Sequence, residues 1–186
     1  MTCSRVDDKF LAELKRKTEK LWRESPISGF QSPRGAQWYP GLSEQEIKEY
    51  EQTLGMRFPD DFRHMLRMMN GTYYPTGTPD PFAFISRQKA VFIYSYPRDI
   101  DLVRQRIEDL DLESSFLYLQ NVLRMQNFDL EADAGLVPIY QHRYVVCSSD
   151  PATSTVLSIM GTDAIVYGND LKEYLQREFL SAKSSA

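Results

Sequence analysis

Two histidines, His64 and His142, and two cysteines, Cys3 and Cys147, are the side chains whose chemistry is most readily recruited near neutral pH. Catalysis of most kinds needs a base within hydrogen-bond reach of a nucleophile or a water. His142 and Cys147, five positions apart, are therefore the first pair to weigh. If one strand spans both, that odd separation sends them to opposite faces; if a turn intervenes at 141–143, the geometric argument lapses. His64 falls on the side of a helical stretch away from Phe62 and Leu66 and is expected at the surface. No Cys-x-x-Cys or His-x-x-x-His spacing occurs, so no zinc site is expected. The run Asp129-Leu130-Glu131-Ala132-Asp133 alternates carboxylates like the opening of a calcium loop. Its sixth position is Ala134 where the sharp turn needs glycine, and its twelfth is Tyr140 rather than glutamate. An acidic surface loop is the simpler reading. Glycine-rich phosphate loops and the Gly-x-Ser-x-Gly elbow are absent from the sequence. No catalytic residue, metal or cofactor is expected.

What remains is charge and aromatic placement. Asp99, Asp101, Glu108, Asp109, Asp111 and Glu113, followed by Asp129, Glu131 and Asp133, make the middle of the chain acidic, with Arg98, Arg104 and Arg106 as partial offset. Carboxylates sharing a face steer a basic partner and accept bidentate arginine bonds. The residues expected to face a partner are Glu108, Asp109, Asp111, Glu113, Glu131 and Asp133, together with Tyr73 and Tyr74 in a loop rich in proline and glycine. A net charge of −4 and a pI near 5.3 argue against a nucleic-acid binder and favour a basic protein partner.

The 186 residues fit one domain, long enough to bury roughly 70% of the surface its unfolded form exposes. Apolar residues at 42% and charged ones at 26% are ordinary for a globular protein, and two cysteines make no disulfide framework. The first ten residues carry no apolar stretch of signal-peptide length. No window approaches the roughly 18–20 apolar residues of a membrane helix, so a cytoplasmic location is expected.

The elements that must position these side chains follow from periodicity. Residues 6–24 read as an amphipathic helix with Val6, Phe10, Leu14, Leu21 and Trp22 on or near one stripe. Residues 25–41 read as an irregular connection. A helix then begins at the N-cap Ser43, with Glu46 completing a capping box, and closes at Gly55. A second starts with Pro59 in its first turn, where Asp60 and Asp61 complement the helix dipole, and stops at Asn70-Gly71. A loop covers 72–81, short strands are expected at 82–85 and 90–94, and Asp99 caps a helix to about 110. Residues 116–128 read as a helix. Four short strands follow at 136–140, 144–148, 156–160 and 164–167, and Asn169 caps a final helix. Strands in succession predict an α+β domain whose mixed, largely antiparallel sheet is flanked by helices.

The stretch containing Trp38, Gly41-Leu42-Ser43, Ile47, Glu51, Leu54-Gly55, Phe58-Pro59-Asp60-Asp61-Phe62 and Asn70-Gly71 resembles the N-terminal signature of the SUKH superfamily. Val137-Pro138-Ile139, Tyr144-Val145, Val156-Leu157-Ser158-Ile159 and Tyr167-Gly168 are similar to its C-terminal part, and the likeness spans 38–179. The superfamily contains bacterial immunity proteins and a fungal regulator of cell-wall glucan synthesis. The long first helix, the helical material at 100–128 and His142 in place of a frequent glycine depart from its usual pattern. The resemblance implies an α+β fold and a partner-binding role without catalytic residues: an immunity protein that neutralises a toxin by stoichiometric binding, or else a regulatory scaffold in cell-wall synthesis or signalling. An enzyme with an unrecognised site is the third reading. Trp38, Ser43, Glu46, Gly55, Pro59, Asn70, Gly71 and Gly168 are expected to shape the fold. The chain divides into 1–37 (a helix and its connection), the domain at 38–180 and a disordered tail at 181–186.

Overall fold

The computed structural model describes residues 6–24, 35–73, 93–113 and 116–180, without the side chains of 111–113. Cys3, Tyr74, the strand expected at 82–85 and the tail at 181–186 lie outside the described residues.

Helix α1 (Asp8–Glu24) buries Leu11, Leu14, Thr18 and Trp22. These repeat at intervals of three and four, the helical period. Leu21, expected on this stripe, stands 41% exposed. Thr18 belongs to the stripe because its polar atom is consumed: the hydroxyl donates to the Leu14 carbonyl at 2.8 Å and accepts from Trp38 Nε1 at 2.8 Å. Trp38 thereby anchors the core. Its ring lies 5.6 Å from that of Trp22, and Phe179 from the other end of the chain meets both edge-on. The first helix thus packs into the same core as the residues after 38.

Strand β1 (Gln37–Pro40) occupies the end of the segment expected to be irregular, and pairs antiparallel with β2 (Met69–Tyr73), whose last two residues were expected in a loop. Four or five residues carry too little alternation to announce a strand; each forms because the other is there. Between them stand α2 (Glu44–Leu54) and α3 (Asp60–Met68). The α2 capping box between Ser43 and Glu46 is present, and Gly55 closes the helix in the left-handed conformation at φ 67°. Pro59 sits at the N-cap of α3, one residue before the first turn. Arg63 of α3 pairs with Glu44 and Glu51 of α2, and Glu51 also accepts from the Phe58 amide at 2.8 Å, tying the two helices together.

Asn70 and Gly71 do more than stop α3; they lie within β2. The Asn70 amide group donates to the Tyr96 carbonyl at 2.5 Å and accepts from the Tyr96 amide at 3.0 Å. Gly71 takes φ 69°, and a Cβ there would sit 2.4 Å from the Tyr94 carbonyl oxygen. Only glycine admits both the backbone angle and the approach. These residues therefore clasp the segment 93–97, where Ile93 bridges to Tyr140 at the edge of the main sheet.

That sheet is an antiparallel meander of β3 (Gly135–Tyr140), β4 (Arg143–Cys147), β5 (Val156–Met160) and β6 (Asp163–Gly168). Every strand pairing among the described residues is antiparallel. One face, with Val137, Ile139, Val145 and Val156, packs on α1, α2, α3 and the closing helix. The opposite face, with Leu136, Tyr144, Val146, Leu157 and Ile159, packs on Leu110 of α4 (Ile100–Glu113) and on Leu119 and Leu123 of α5 (Phe116–Arg124). An α+β layout with helices on both sides of the sheet results. Asp99 precedes α4, but its carboxylate turns back to the Ser95 amide at 2.9 Å and to Arg98. The closing helix α6 (Leu171–Leu175) continues into a π-helical turn, Gln176–Leu180. Its N-cap is Asp170, which accepts from the Glu173 amide at 2.8 Å. Asn169, expected in that role, instead donates twice to the Glu173 carboxylate. Gly168 leaves room for Tyr174, whose Cβ would lie 2.9 Å from an added methyl.

Candidate interaction surfaces

His142 and Cys147, the pair first weighed, are held apart. A turn at Gln141 and His142 separates His142 from β4, and Cys147 is the last residue of that strand. The four residue steps of β4 alone separate Arg143 from Cys147 by roughly 13 Å, so His142 and Cys147 lie toward opposite ends of the strand. Burial pushes the Cys147 thiol up to about 12, so it keeps its proton, and burial together with Arg143 lowers His142. His64 is half-buried rather than exposed, its Nε2 2.6 Å from Asp8 Oδ1. Of the alternating carboxylates, Asp129 pairs with Arg124 at 3.2 Å, whereas Glu131 turns to the β4–β5 connection. Among the described residues no group of three or more His, Cys, Asp or Glu is placed to hold a metal.

The expected partner-facing residues fall into separate places. Tyr73 ends β2, stacks on Tyr39 at 4.4 Å and hydrogen-bonds Gln37 through its hydroxyl at 3.0 Å. Arg98 lies 5.2 Å above the Tyr39 ring and donates to the Thr72 carbonyl, so two tyrosines and an arginine form one ledge. Glu108 on α4 and Asp133 in the loop before β3 are exposed, while Asp109 is half-buried. Asp111 and Glu113 belong to α4, but their side chains are outside the described residues. Glu131 spends both oxygens on Ser149, accepting from its amide at 2.8 Å and its hydroxyl at 3.0 Å. It fastens the turn that follows β4.

Two polar constellations escaped the residue pattern. Asp61, read as a helix-dipole complement, is 3% exposed. It accepts from the Val6 amide at 3.2 Å and from the Ser154 hydroxyl at 3.0 Å. The second lies where β4, β5 and β6 meet the closing helix. Arg143 pairs across the strands with Ser158 and donates to its hydroxyl at 2.6 Å. Its guanidinium carbon stands 3.9 Å from the Tyr167 ring centre and its Nε 3.5 Å from Glu178, which is 5% exposed. Arg177 approaches the same ring at 5.2 Å and donates to the Tyr167 carbonyl at 2.6 Å. Burial, reinforced by Glu178, pushes the neighbouring Tyr174 hydroxyl well up. A strand-borne arginine among apolar residues is the one local signal from which this cluster could have been found.

Residues 41–177 match the model of the SMI1 / KNR4 family (SUKH-1), well over half of the chain. The chain belongs to this SUKH-1 family. The matched span contains every residue of the signature except Trp38, which lies just before it. No curated protein and no solved structure gives a match. SUKH proteins act through protein interactions, either as immunity proteins or as cell-wall regulators. No helix among the described residues of this SUKH-1 chain is long and apolar enough to cross a membrane.

Proposed function

We propose that this SUKH-1 chain is a non-enzymatic binding module, an immunity protein that neutralises a toxin by covering it in a stoichiometric complex. The observation that carries the reading is the family match over 41–177. Side-chain chemistry supports it. His64 is bonded to Asp8, Cys147 is buried and keeps its proton, and His142 lies at the other end of β4 from Cys147. Affinity in such a complex comes from a few desolvated aromatic and arginine anchors, with charge complementarity setting the encounter rate. The ledge of Tyr39, Tyr73 and Arg98 and the cluster of Arg143, Tyr167 and Arg177 both have that composition.

The test is a pull-down from the native host followed by reconstitution. A toxin domain recovered at one-to-one stoichiometry, inactive in the complex and active when released, is the expected outcome. A partner from the envelope-synthesis machinery would move the function to regulation. Recovery of no protein, with a tight small-molecule ligand instead, would overturn the binding reading.

A further inference from the structure

Most side chains on the face of the main sheet that packs on α1, α2, α3 and the closing helix are buried, but the cover stops short. Along β5 this face carries Val156, Ser158 and Met160, with 0% exposure at Val156 and 66% at Met160. On β6 it carries Ile165, 40% exposed, and the half-buried Tyr167. Arg143, Ser158 and Ile165 are register neighbours across three strands, so the floor passes from a half-buried guanidinium to an open aliphatic side chain. Tyr167 and Arg177 stand where α6 and its π turn come down on that floor.

We infer that this open end of the sheet, floored by Met160 and Ile165 and walled by Tyr167 and Arg177, docks an extended segment of a partner protein that carries an acidic side chain beside an apolar one. The inference rests on the protein-binding reading above and adds where the partner sits and what it must present. The charges decide the sign. Glu178 is buried and directed at Arg143, so the two offset each other inside the wall. Arg177 is exposed and spends one nitrogen on the Tyr167 carbonyl, leaving its charge turned to solvent. Asp163, opposite Met160 at the hairpin tip, bounds the floor on the far side. An acidic group is therefore drawn to the Arg177 end and repelled from the tip, which also fixes the direction of the segment. This local sign opposes the chain's net charge of −4.

Geometry sets the spacing. Residues two apart on one strand face the same way and are separated by about 7 Å. Ile165 and Tyr167 have that relation, so an extended partner meets them with side chains at i and i+2. Addition of a strand at the β6 edge is blocked, because the Gln126 side chain donates to the Ala164 carbonyl at 2.7 Å and accepts from the Val166 amide at 3.4 Å. The face, not the edge, is what a partner finds. Tyrosine, arginine and methionine are also the residues enriched at the cores of protein interfaces.

The probe is a displayed library of random 12-residue peptides, panned on the full chain and counter-selected on Ile165→Glu. Enriched peptides are expected to carry Asp or Glu two positions from Leu, Ile, Val or Phe. In calorimetric titration, an enriched peptide should bind Ile165→Glu and Arg177→Glu at least tenfold more weakly. Lys48→Glu on the exposed side of α2 should match the unsubstituted chain, and added salt should weaken binding. Ile165→Ser and Arg177→Gln serve where a glutamate variant fails to fold, as judged by its unfolding midpoint. No enrichment, peptides without acidic residues, or binding indifferent to both substitutions would overturn the proposal. A host partner that binds both variants unchanged would sink this docking surface while leaving the protein-binding reading intact; failure to find any protein partner would sink the latter.

Discussion

Replacing Asp61 with alanine separates two physical roles for one carboxylate. As a dipole complement at the start of α3, Asp61 would contribute ~0.3–1 kcal/mol. Its place in the structure assigns more. One oxygen accepts from the Val6 amide at 3.2 Å and the other from the Ser154 hydroxyl at 3.0 Å, and that hydroxyl accepts from the Leu171 amide at 3.2 Å. Hydrogen bonds to a charged acceptor contribute ~1.5–3 kcal/mol each, so Asp61→Ala should cost about 3–6 kcal/mol. That is a large part of the ~5–15 kcal/mol by which a domain is stable. In urea titration, with a slope of ~1–3 kcal/mol per molar, the midpoint should fall by about 1 M or more with the slope unchanged. Ser154→Ala provides the second corner of a double-mutant cycle, in which residues sharing a hydrogen bond should show a coupling of ~0.5–3 kcal/mol. A loss below about 1 kcal/mol for Asp61→Ala, or strict additivity with Ser154→Ala, would refute the tie and return Asp61 to the dipole.

Gly71→Ala should destabilise by ~1–3 kcal/mol through its positive φ alone. Because its methyl would meet the Tyr94 carbonyl, it should also speed amide exchange at Thr72 and Tyr96 more than at α2, read by hydrogen-exchange mass spectrometry. In a Cys3→Ser background, Cys147 should resist iodoacetamide at pH 8 until the chain unfolds. The folded thiol titrates near 12, above its unfolded value of ~8.5, so the stability tied to its proton is full below ~8.5 and is lost as pH rises toward 12. Cys147→Ala should flatten that alkaline decline in the unfolding midpoint. His142 has the opposite slope. Burial and Arg143 lower its folded value, so its contribution is present above the unfolded value of ~6.5 and is lost as pH falls through the folded one; His142→Gln should flatten the acid limb, measured by thermal unfolding from pH 7 to 5.

The α2–α3 pair was legible because what makes it is local. Ser43 and Glu46 satisfy each other's backbone within one turn, Gly55 closes the helix within the next two, and Asp60 opens its successor. The four-stranded meander was legible from its β-branched runs and the turns between them. The small sheet was not: Trp38 is held by Thr18, twenty positions earlier, and by Phe179 at the far end of the chain, and neither distance leaves a mark on a window of four residues. Nor does a residue pattern distinguish Asp60 from Asp61. They are neighbours of one type at one helix start, and only partners 55 and 93 positions away make the second a buried tie.

The same argument governs charge at the surface. Glu131 and Asp133 read identically as carboxylates of one acidic loop, yet Glu131 is bonded twice to Ser149 while Asp133 is exposed. Arg143 and Glu178 drew no reading from the residue pattern, yet they stand 3.5 Å apart beside Tyr167. Spacing along a chain sorts residues by the face of their own element. Whether a charge on that face fastens the fold or meets a partner depends on which distant element arrives opposite it. The SUKH-1 signature is made almost wholly of caps, close approaches and clasps on the fold itself, such as Asn70 on Tyr96. On the docking proposal, partner choice is carried mainly by residues outside that signature, with Tyr167 shared between the two, and substitutions at Ile165 and Arg177 should alter binding more than stability, whereas those at Asn70 and Gly71 should alter stability first.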